Sequence, residues 1–448
     1  MTALNIQMVK PFSNKDYEKL GDRIRKDVNN ISESDYEMLQ YLRTSYKSPL
    51  SVVFNTIESL AHSVDKNCVC TYRIKRIESI VSKLIRFPEM RVNRAEDIAG
   101  CRCILSSEAD VYSLLERIRK KQDKLPFEIK GKINDYIANP KESGYKSVHI
   151  NVTLKGDNRR IEIQLRSLEQ HNWATLVEIT DLLYGIKLKE NGQDSNADLF
   201  KLHKLLSRSP QEIMANYADI QQIADIVIKY DYIKKIGAVF AQNYVDVRKH
   251  WYSLKLRQKH FFLISTGTDG IPEIQGFADF DSAENNYFEQ FISNKSNKNI
   301  VLTHLQRTTF AKISVAYSNY FLTFNNTIVR ILFYLSKAVE NSYKKNSIFT
   351  FKKYYQAFLD IMLFWMEQQI VEINQFNNDK NIKKSKISHI EWGTTIEQGI
   401  RIFNDMFKKT QVHLRFKVWN FITYFIMRSK YNHFQTLANK VVSDAKQI

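Results

Sequence analysis

Residues Ile161–Arg166 carry the pattern that most restricts the fold of this chain, an alternation of apolar and polar side chains. Side chains two positions apart on a strand point to the same face of a sheet. Glu162, Gln164 and Arg166 therefore form one polar row, whereas the isoleucines and the leucine between them face a core. We expect a strand here, with hydrogen-bonding capacity on one side and a hydrophobic core on the other.

A polar loop precedes this strand. Residues Asp135–His149 read Asp-Tyr-Ile-Ala-Asn-Pro-Lys-Glu-Ser-Gly-Tyr-Lys-Ser-Val-His and lead into another predicted strand. Gly144 allows the backbone a close approach or a positive φ next to Tyr145. One exposed aromatic ring, one acid and several cations on a mixed sheet favour a nucleotide-binding pocket.

A second group of polar motifs lies upstream. Arg73-Ile74-Lys75 is followed by Ser79 and Lys83, and then by Asp97-Ile98-Ala99-Gly100-Cys101-Arg102. Ser79, Lys83 and Arg86 fall at i, i+4 and i+7, which places them on one face of a helix.

Taken together, these segments resemble the synthetase domain of the RelA/SpoT family, the enzymes that make the alarmone ppGpp. The resemblance covers about residues 70–185 and rests on four motifs in the family's order, including the helix Ser167–Tyr184 with His171 and Trp173. It implies a mixed sheet with helices packed on it, similar to that of nucleotidyltransferases. It also implies transfer of the β,γ-pyrophosphate of ATP to a 3′-hydroxyl.

The resemblance also implies roles for individual residues. Asp97 and Glu162 resemble the carboxylates that hold Mg²⁺, which prefers oxygen ligands, and Glu162 is also the expected base. A turn cap and an ordinary strand carboxylate are the alternatives for these two acids. The implied ATP-binding residues are Arg73, Lys75, Ser79, Lys83, Arg86 and Arg102. The implied acceptor-binding residues are Lys141, Tyr145, Lys146, His149, Gln164 and Arg166.

Alternatives exist on the acceptor side as well. Tyr145 is expected to stack on the acceptor base, with a half-buried strand aromatic as the alternative, and His149 is equally explained as a structural histidine. We therefore expect Tyr145→Ala to abolish transfer with little loss of stability. Ser167, where relatives often carry threonine, and the cysteines at 101 and 103 are mild departures that remove no expected catalytic group.

The amino-acid composition limits the classes of protein to which this chain can belong. With 44% hydrophobic and 25% charged residues, the chain is expected to be globular and cytoplasmic, without a secretory signal or stable membrane insertion. The 13 glycines and 7 prolines in 448 residues favour long helices. The net charge of +18 suggests a polyanionic partner, nucleotide or RNA, although a lysine-rich composition with solvated side chains explains it equally well.

The four cysteines form two C-x-C pairs, Cys68 with Cys70 and Cys101 with Cys103. The spacing is tighter than that of most zinc sites, and the second pair lies in an apolar run. We therefore interpret these cysteines as reduced core residues, with zinc as the alternative.

The chain divides into four segments by pattern, giving an α+β fold. Two N-terminal helices are expected within residues 1–69, the second capped by Ser32, followed by a synthetase domain at 70–188 with a mixed sheet, and a polar linker. Residues 197–322 are expected to contain helices and a small αβ unit, with strands at His260–Thr266, Glu273–Phe277 and Asn299–Thr303 and a helix at Asp281–Ser293. Residues 323–448 are expected to be helical, with a break at 377–388.

Three functions compete at this point. The first is an alarmone synthetase that uses ATP and GDP or GTP and has no hydrolase domain. The second is a toxin-type relative that pyrophosphorylates the 3′ end of tRNA, for which the positive charge is suitable, with residues 191–448 as an RNA platform, a regulatory element or an oligomer face. The third is a non-catalytic nucleotide-responsive module, which the presence of both Asp97 and Glu162 disfavours.

Overall fold

A mixed β-sheet organises the N-terminal half of the chain. The computed structural model describes residues 12–188, 192–238, 259–266, 272–293, 300–305, 324–378, 388–410 and 421–447. Within these ranges nine strands form one sheet in the order β3-β5-β6-β2-β1-β9-β7-β8, with β4 paired to β5. The expected α+β fold with a mixed sheet and a mainly helical C-terminal region is confirmed.

The segment before the sheet contains three helices, where the sequence pattern predicted two. They are α1 (Asn14–Lys26), α2 (Glu33–Thr44) and α3 (Lys47–Val64). The Ser32 side chain accepts a hydrogen bond from the Asp35 amide at the start of α2, which confirms the predicted cap. The extra boundary falls before Pro49, which is tolerated in the first turn of a helix but would disrupt a continuous one.

The strands of the expected synthetase domain alternate with three helices. Only β2 and β6 pair in parallel among the described strands, and their register places Gly100 opposite Glu162 and Arg102 opposite Gln164. Strands β3 and β4 are separate, with Gly131 at a φ of +74° between them. The strands are β1 (Val69–Ile74), β2 (Ala99–Leu105), β3 (Phe127–Ile129), β4 (Asn134–Asp135), β5 (Val148–Leu154) and β6 (Ile161–Ser167), and the helices are α4 (Ile77–Arg86), α5 (Glu108–Lys120) and α6 (Leu168–Tyr184).

Helices dominate the chain after residue 188. They begin with α7 (Ala197–Leu206), α8 (Pro210–Met214) and α9 (Tyr217–Lys229). Four longer helices follow, α11 (Phe324–Lys344), α12 (Ile348–Asn378), α13 (Ser388–Thr410) and α14 (Phe421–Gln447). Most of the predicted break at 377–388 lies outside the described residues. Among the helices of the described ranges, none combines the length and the apolar character that a bilayer-spanning segment requires.

The small αβ unit has the predicted elements but an unexpected position. The predicted elements are present, as the strands β7 (Phe261–Thr266), β8 (Pro272–Phe277) and β9 (Ile300–His304) and the helix α10 (Phe280–Ser293). The sequence analysis assigned this unit to a separate segment, 197–322. In the structure β9 pairs antiparallel with β1, so the unit extends the sheet of residues 70–188.

The sheet separates an apolar side from a polar side. Alternate side chains such as Tyr72, Cys101 and Ile163 are buried in a core with α1–α5 and α10. All four cysteines are buried and free, as the core interpretation predicted, and the Cys70 and Cys103 sulfurs lie 3.5 Å apart. The polar side chains of β1, β2, β5 and β6 are left to form a cleft on the opposite face.

Candidate active site

Asp97 lies at the entrance to β2, where two lysines neutralise its carboxylate. Lys75 Nζ is 2.5 Å from Asp97 Oδ2, and Lys83 Nζ of α4 is 2.8 Å from Asp97 Oδ1. Burial alone would raise the pKa of Asp97, but the lysine charges and hydrogen bonds outweigh burial and lower it. Asp97 is therefore ionised at neutral pH, and both of its oxygens are occupied by cations.

The remaining predicted ATP-binding residues are distributed around this pair. Arg73 and Arg102 line the same cleft as Lys75, Asp97, Glu162 and Gln164. Ser79 and Arg86 lie on α4 but do not line the cleft, and the guanidinium of the exposed Arg86 is 5.5 Å from the Phe87 ring centre. The structure thus brings four of the six predicted ATP-binding residues to Asp97 or to the cleft, namely Arg73, Lys75, Lys83 and Arg102.

Glu162 is held by two neighbouring side chains on the polar face. Its Oε1 is 2.8 Å from His149 Nδ1, and Gln164 Nε2 donates a hydrogen bond of 2.6 Å to its Oε2. Burial opposes ionisation, but the hydrogen bonds and the His149 charge lower the pKa of Glu162 to about 2. A Cβ at Gly100 would lie only 2.7 Å from the Glu162 carbonyl oxygen, so this position on β2 requires glycine.

A chain of hydrogen bonds connects Glu162 to Tyr145. His149 contacts Glu162 through Nδ1, and its Nε2 lies 2.7 Å from the Tyr145 hydroxyl. Arg166 donates to the same hydroxyl and, at 3.1 Å, to Gln164 Oε1, which also accepts a 3.2 Å bond from Arg102. The predicted row of Glu162, Gln164 and Arg166 is thus confirmed as one connected network.

The Tyr145 ring is enclosed by aromatic and cationic groups. Tyr136 and Trp173 meet it edge-on at centroid distances of 6.1 and 6.5 Å. The guanidinium of Arg166 lies 5.0 Å from the ring centre and Lys141 Nζ lies 5.4 Å from it. The two cations create a positive electrostatic potential over the face of the Tyr145 ring, which favours binding of an anionic nucleotide.

The C-terminal end of helix α7 lies against the loop that contains Gly144 and Tyr145, a contact that the sequence did not reveal. Gly144 has a φ of +90°, and a Cβ there would lie 2.2 Å from Ser207 Oγ. Trp173 Nε1 donates a 2.8 Å hydrogen bond to the His203 carbonyl. Lys146, predicted to contact the acceptor, is half-buried. The pKa of Glu212 on α8 is lowered mainly by hydrogen bonds from Ser209, and the nearby charge of Lys146 lowers it further.

Replacing Gly144 with alanine should destabilise the protein through both backbone strain and collision with Ser207. An L-residue in this conformation costs about 1–2 kcal/mol, and overpacking adds about 1–3 kcal/mol. Gly131→Ala is the matched control, because its φ is +74° and nothing lies within 4 Å of the added Cβ. Denaturant unfolding of both variants, and of Gly144→Ala with Ser207→Gly, measures the difference. Equal losses at Gly131 and Gly144 would contradict the close approach of α7.

Tyr145 should ionise near neutral pH. Burial raises its pKa, but the charges of Arg166 and His149 and the hydrogen bond to His149 outweigh burial and lower the pKa to about 7. Because the folded-state pKa is lowered, ionisation stabilises the protein fully above the unfolded pKa of 10.0, and this stabilisation is lost as the pH falls through about 7. The near-ultraviolet tyrosinate absorbance should show a step near pH 7 that is absent from Tyr145→Phe. An unchanged step in that variant would assign it to another tyrosine.

Comparison with known proteins gives the cleft a family context. Residues 72–187 match the family model described as "Region found in RelA / SpoT proteins", which confirms the resemblance inferred from the motifs over that segment. The chain is 34% identical over 116 residues to GTP pyrophosphokinase YwaC of Bacillus subtilis, covering 23% of this chain and 53% of the relative. It is 40% identical over 137 residues to a probable guanosine-3′,5′-bis(diphosphate) 3′-pyrophosphohydrolase of Mycoplasma genitalium, covering 30% of this chain and 17% of that relative.

The solved structures that match include small alarmone synthetases. The chain is 26% identical to the structure of the Bacillus subtilis small alarmone synthetase 1 bound to its product pppGpp, with a TM-score of 0.27, and covers 77% of that chain. The matched segment spans about half of the Bacillus pyrophosphokinase and under a fifth of the Mycoplasma relative. Because relatives with hydrolase names are among the matches, the lack of a hydrolase domain stays a prediction.

Proposed function

We propose that this cleft transfers the β,γ-pyrophosphate of ATP to the 3′-hydroxyl of GDP or GTP. The main support is the arrangement of two ionised carboxylates, Asp97 and Glu162, among cations on one face of the sheet. Phosphoryl-type transfer depends mostly on positioning and on neutralising charge. The names of the relatives matched over residues 72–187 support the same class of reaction.

On the ATP side, the cations neutralise the polyphosphate. Lys75 and Lys83 contact Asp97, and we infer that they exchange this carboxylate for phosphate oxygens when ATP enters. Arg73 and Arg102 supply further positive charge along the cleft, and the Arg102 guanidinium plane also suits stacking on adenine. The exchange uncovers the Asp97 oxygens at the moment when the phosphates arrive.

The carboxylates fit a magnesium ion. Asp97 and Glu162 line one cleft and are both ionised, and Mg²⁺ favours one or two carboxylates together with phosphate oxygens. When bound there, Mg²⁺ would neutralise charge on the transferred group. Because two ammonium groups contact Asp97, we expect metal binding at this carboxylate to require that ATP draws the lysines away.

On the acceptor side, Glu162 is the proton acceptor. The 3′-hydroxyl oxygen attacks the β-phosphorus of ATP, the bond from that phosphorus to the α-phosphate oxygen breaks, and AMP leaves. The hydroxyl proton passes to a carboxylate oxygen of Glu162, which His149 and Gln164 hold in place. Tyr145 is the stacking surface for the acceptor base, with Arg166 and Lys141 beside its ring.

An acceptor assay with the full chain tests this function. The protein is incubated with Mg²⁺, ATP labelled on its γ-phosphate and, separately, GDP, GTP, unlabelled ATP or bulk tRNA, with Asp97→Asn as the inactive control. Label in a guanosine product with the wild type alone is expected. Label confined to tRNA would overturn the proposed acceptor. No label in any product, with wild type and Asp97→Asn equal, would leave only a binding module.

The net charge of +18 supports tRNA as the second candidate acceptor. Neutralisation of a nucleic-acid backbone gives binding that weakens steeply with salt. Repeating the tRNA arm of the assay at increasing ionic strength distinguishes the candidates, because transfer to a free nucleotide should lose far less activity over the same range.

A further inference from the structure

Three metal-ligating side chains meet on the apolar side of the sheet, apart from the cleft. Glu58 and His62 lie one turn apart on α3, and His304 lies at the end of β9. Glu58 Oε1 is 2.7 Å from His62 Nε2 and 2.5 Å from His304 Nδ1. No local pattern indicates this group, because more than two hundred residues separate His304 from Glu58.

The Nε2 nitrogen of His62 is buried and faces the group. His62 is 8% exposed, and its Nε2 is buried without an aligned hydrogen-bond partner in the described part of the chain, although Glu58 is close. Its other nitrogen, Nδ1, is 3.2 Å from Cys68 Sγ. The thiol thus fixes the ring orientation, in the way that neighbouring groups orient the histidine ligands of metal sites.

The His304 ring is also fixed in position. It stacks on Phe261 with a centroid distance of 4.4 Å and an interplanar angle of 17°. Its side chain is 18% exposed, so the group has access to solvent on one side. Two oriented imidazoles and one carboxylate therefore converge where a small ion can enter.

We propose that Glu58, His62 and His304 bind a divalent transition-metal ion, with Zn²⁺ as the preferred ion. Two histidines and one glutamate form a recurring three-ligand set for Zn²⁺, which leaves a fourth position for water. Imidazole nitrogens favour zinc and its neighbours over Mg²⁺, which takes oxygen ligands. The ion would replace the direct Glu58–histidine contacts and connect the αβ unit to the helix beneath β1.

Metal binding by the tag-free full chain tests this proposal. After treatment with chelator, the protein is titrated with Zn²⁺ in competition with a chromogenic chelator, at millimolar Mg²⁺ to saturate oxygen-only sites. One Zn²⁺ per chain is expected, and Co²⁺ substitution should give the intense visible bands of a four-coordinate ion. Zn²⁺ should also raise the melting temperature.

Variants separate the site from incidental binding. His304→Ala and Glu58→Gln should weaken Zn²⁺ affinity by at least about 10-fold, on the scale seen for groups that support metal sites. His433→Ala is the matched control, because this exposed histidine lies 3.9 Å from a glutamate on α12 but belongs to no group of three metal-ligating side chains among the described residues. Unchanged affinity in His304→Ala, or no Zn²⁺ bound by the wild type, would overturn the proposal. Equal loss of Zn²⁺ binding in His304→Ala and in the control His433→Ala would also overturn the proposal, because it would show that binding is not specific to this group.

Discussion

Replacing Glu162 with glutamine is expected to reduce pyrophosphate transfer by about 10²–10⁴-fold, the usual contribution of a positioned general base. The amide keeps the size of the side chain but can neither take the hydroxyl proton nor hold a cation. Single-turnover transfer from labelled ATP measures the loss. The melting temperature should fall at neutral pH, because the variant loses the stabilisation of the ionised carboxylate, so transfer is compared at a temperature where both proteins are folded.

Glu128→Gln is the matched control for this variant. Glu128 is also a strand glutamate with a cationic partner, Lys130 Nζ at 2.7 Å, but it lies exposed on β3 away from the cleft. Its replacement should leave transfer unchanged. Similar losses in the two variants would contradict a specific role for Glu162.

The same carboxylate predicts a change in acid stability. The pKa of Glu162 is lowered from 4.5 to about 2, so its contribution to stability is complete above pH 4.5 and is lost as the pH falls through about 2. Glu162→Gln should therefore flatten the acid limb of the stability curve in that window. An acid limb identical to that of the wild type would show that Glu162 is not paired in solution.

Replacing Tyr145 with alanine should impair both transfer and stability. Loss of base stacking, worth about 1–3 kcal/mol per base, corresponds to roughly a 5–150-fold weaker acceptor interaction. The ring contacts Tyr136, Trp173 and Arg166 and packs against the helical core. The expected loss of unfolding free energy in Tyr145→Ala is therefore about 2 kcal/mol or more, which is larger than the sequence pattern indicated. Acceptor titration and denaturant unfolding separate the two effects.

Two further variants identify what Tyr145 contributes. Tyr145→Phe keeps the ring and loses the bonds to His149 and Arg166, so it should retain most of the acceptor affinity and lose the titration near pH 7. Tyr112→Phe is the control, because its hydroxyl is bonded to Asp135 of the same loop but lies outside the ring cluster. Full acceptor affinity in Tyr145→Ala would contradict stacking.

Local patterns predicted much of the site. Period-two alternation placed Glu162, Gln164 and Arg166 on one face, and the Ser32 cap marked a helix start, because both signals depend on neighbours in sequence. The contacts that no pattern indicated are non-local. The pairing of β9 with β1 and the approach of Ser207 to Gly144 join segments distant in the chain, where composition and spacing carry no information.

The pairing of β9 with β1 has a consequence for biosynthesis. The Thr303 hydroxyl donates to the Cys70 carbonyl across 233 residues of chain. At about 5–20 residues per second, roughly 12–47 s pass between emergence of these two strands from the ribosome. During that interval the outer edge of β1 has no strand partner from β9, and an open edge invites pairing with other chains. The edge of β1 therefore stays open until β9 has been made, and we expect the nascent protein to need protection by a chaperone until then.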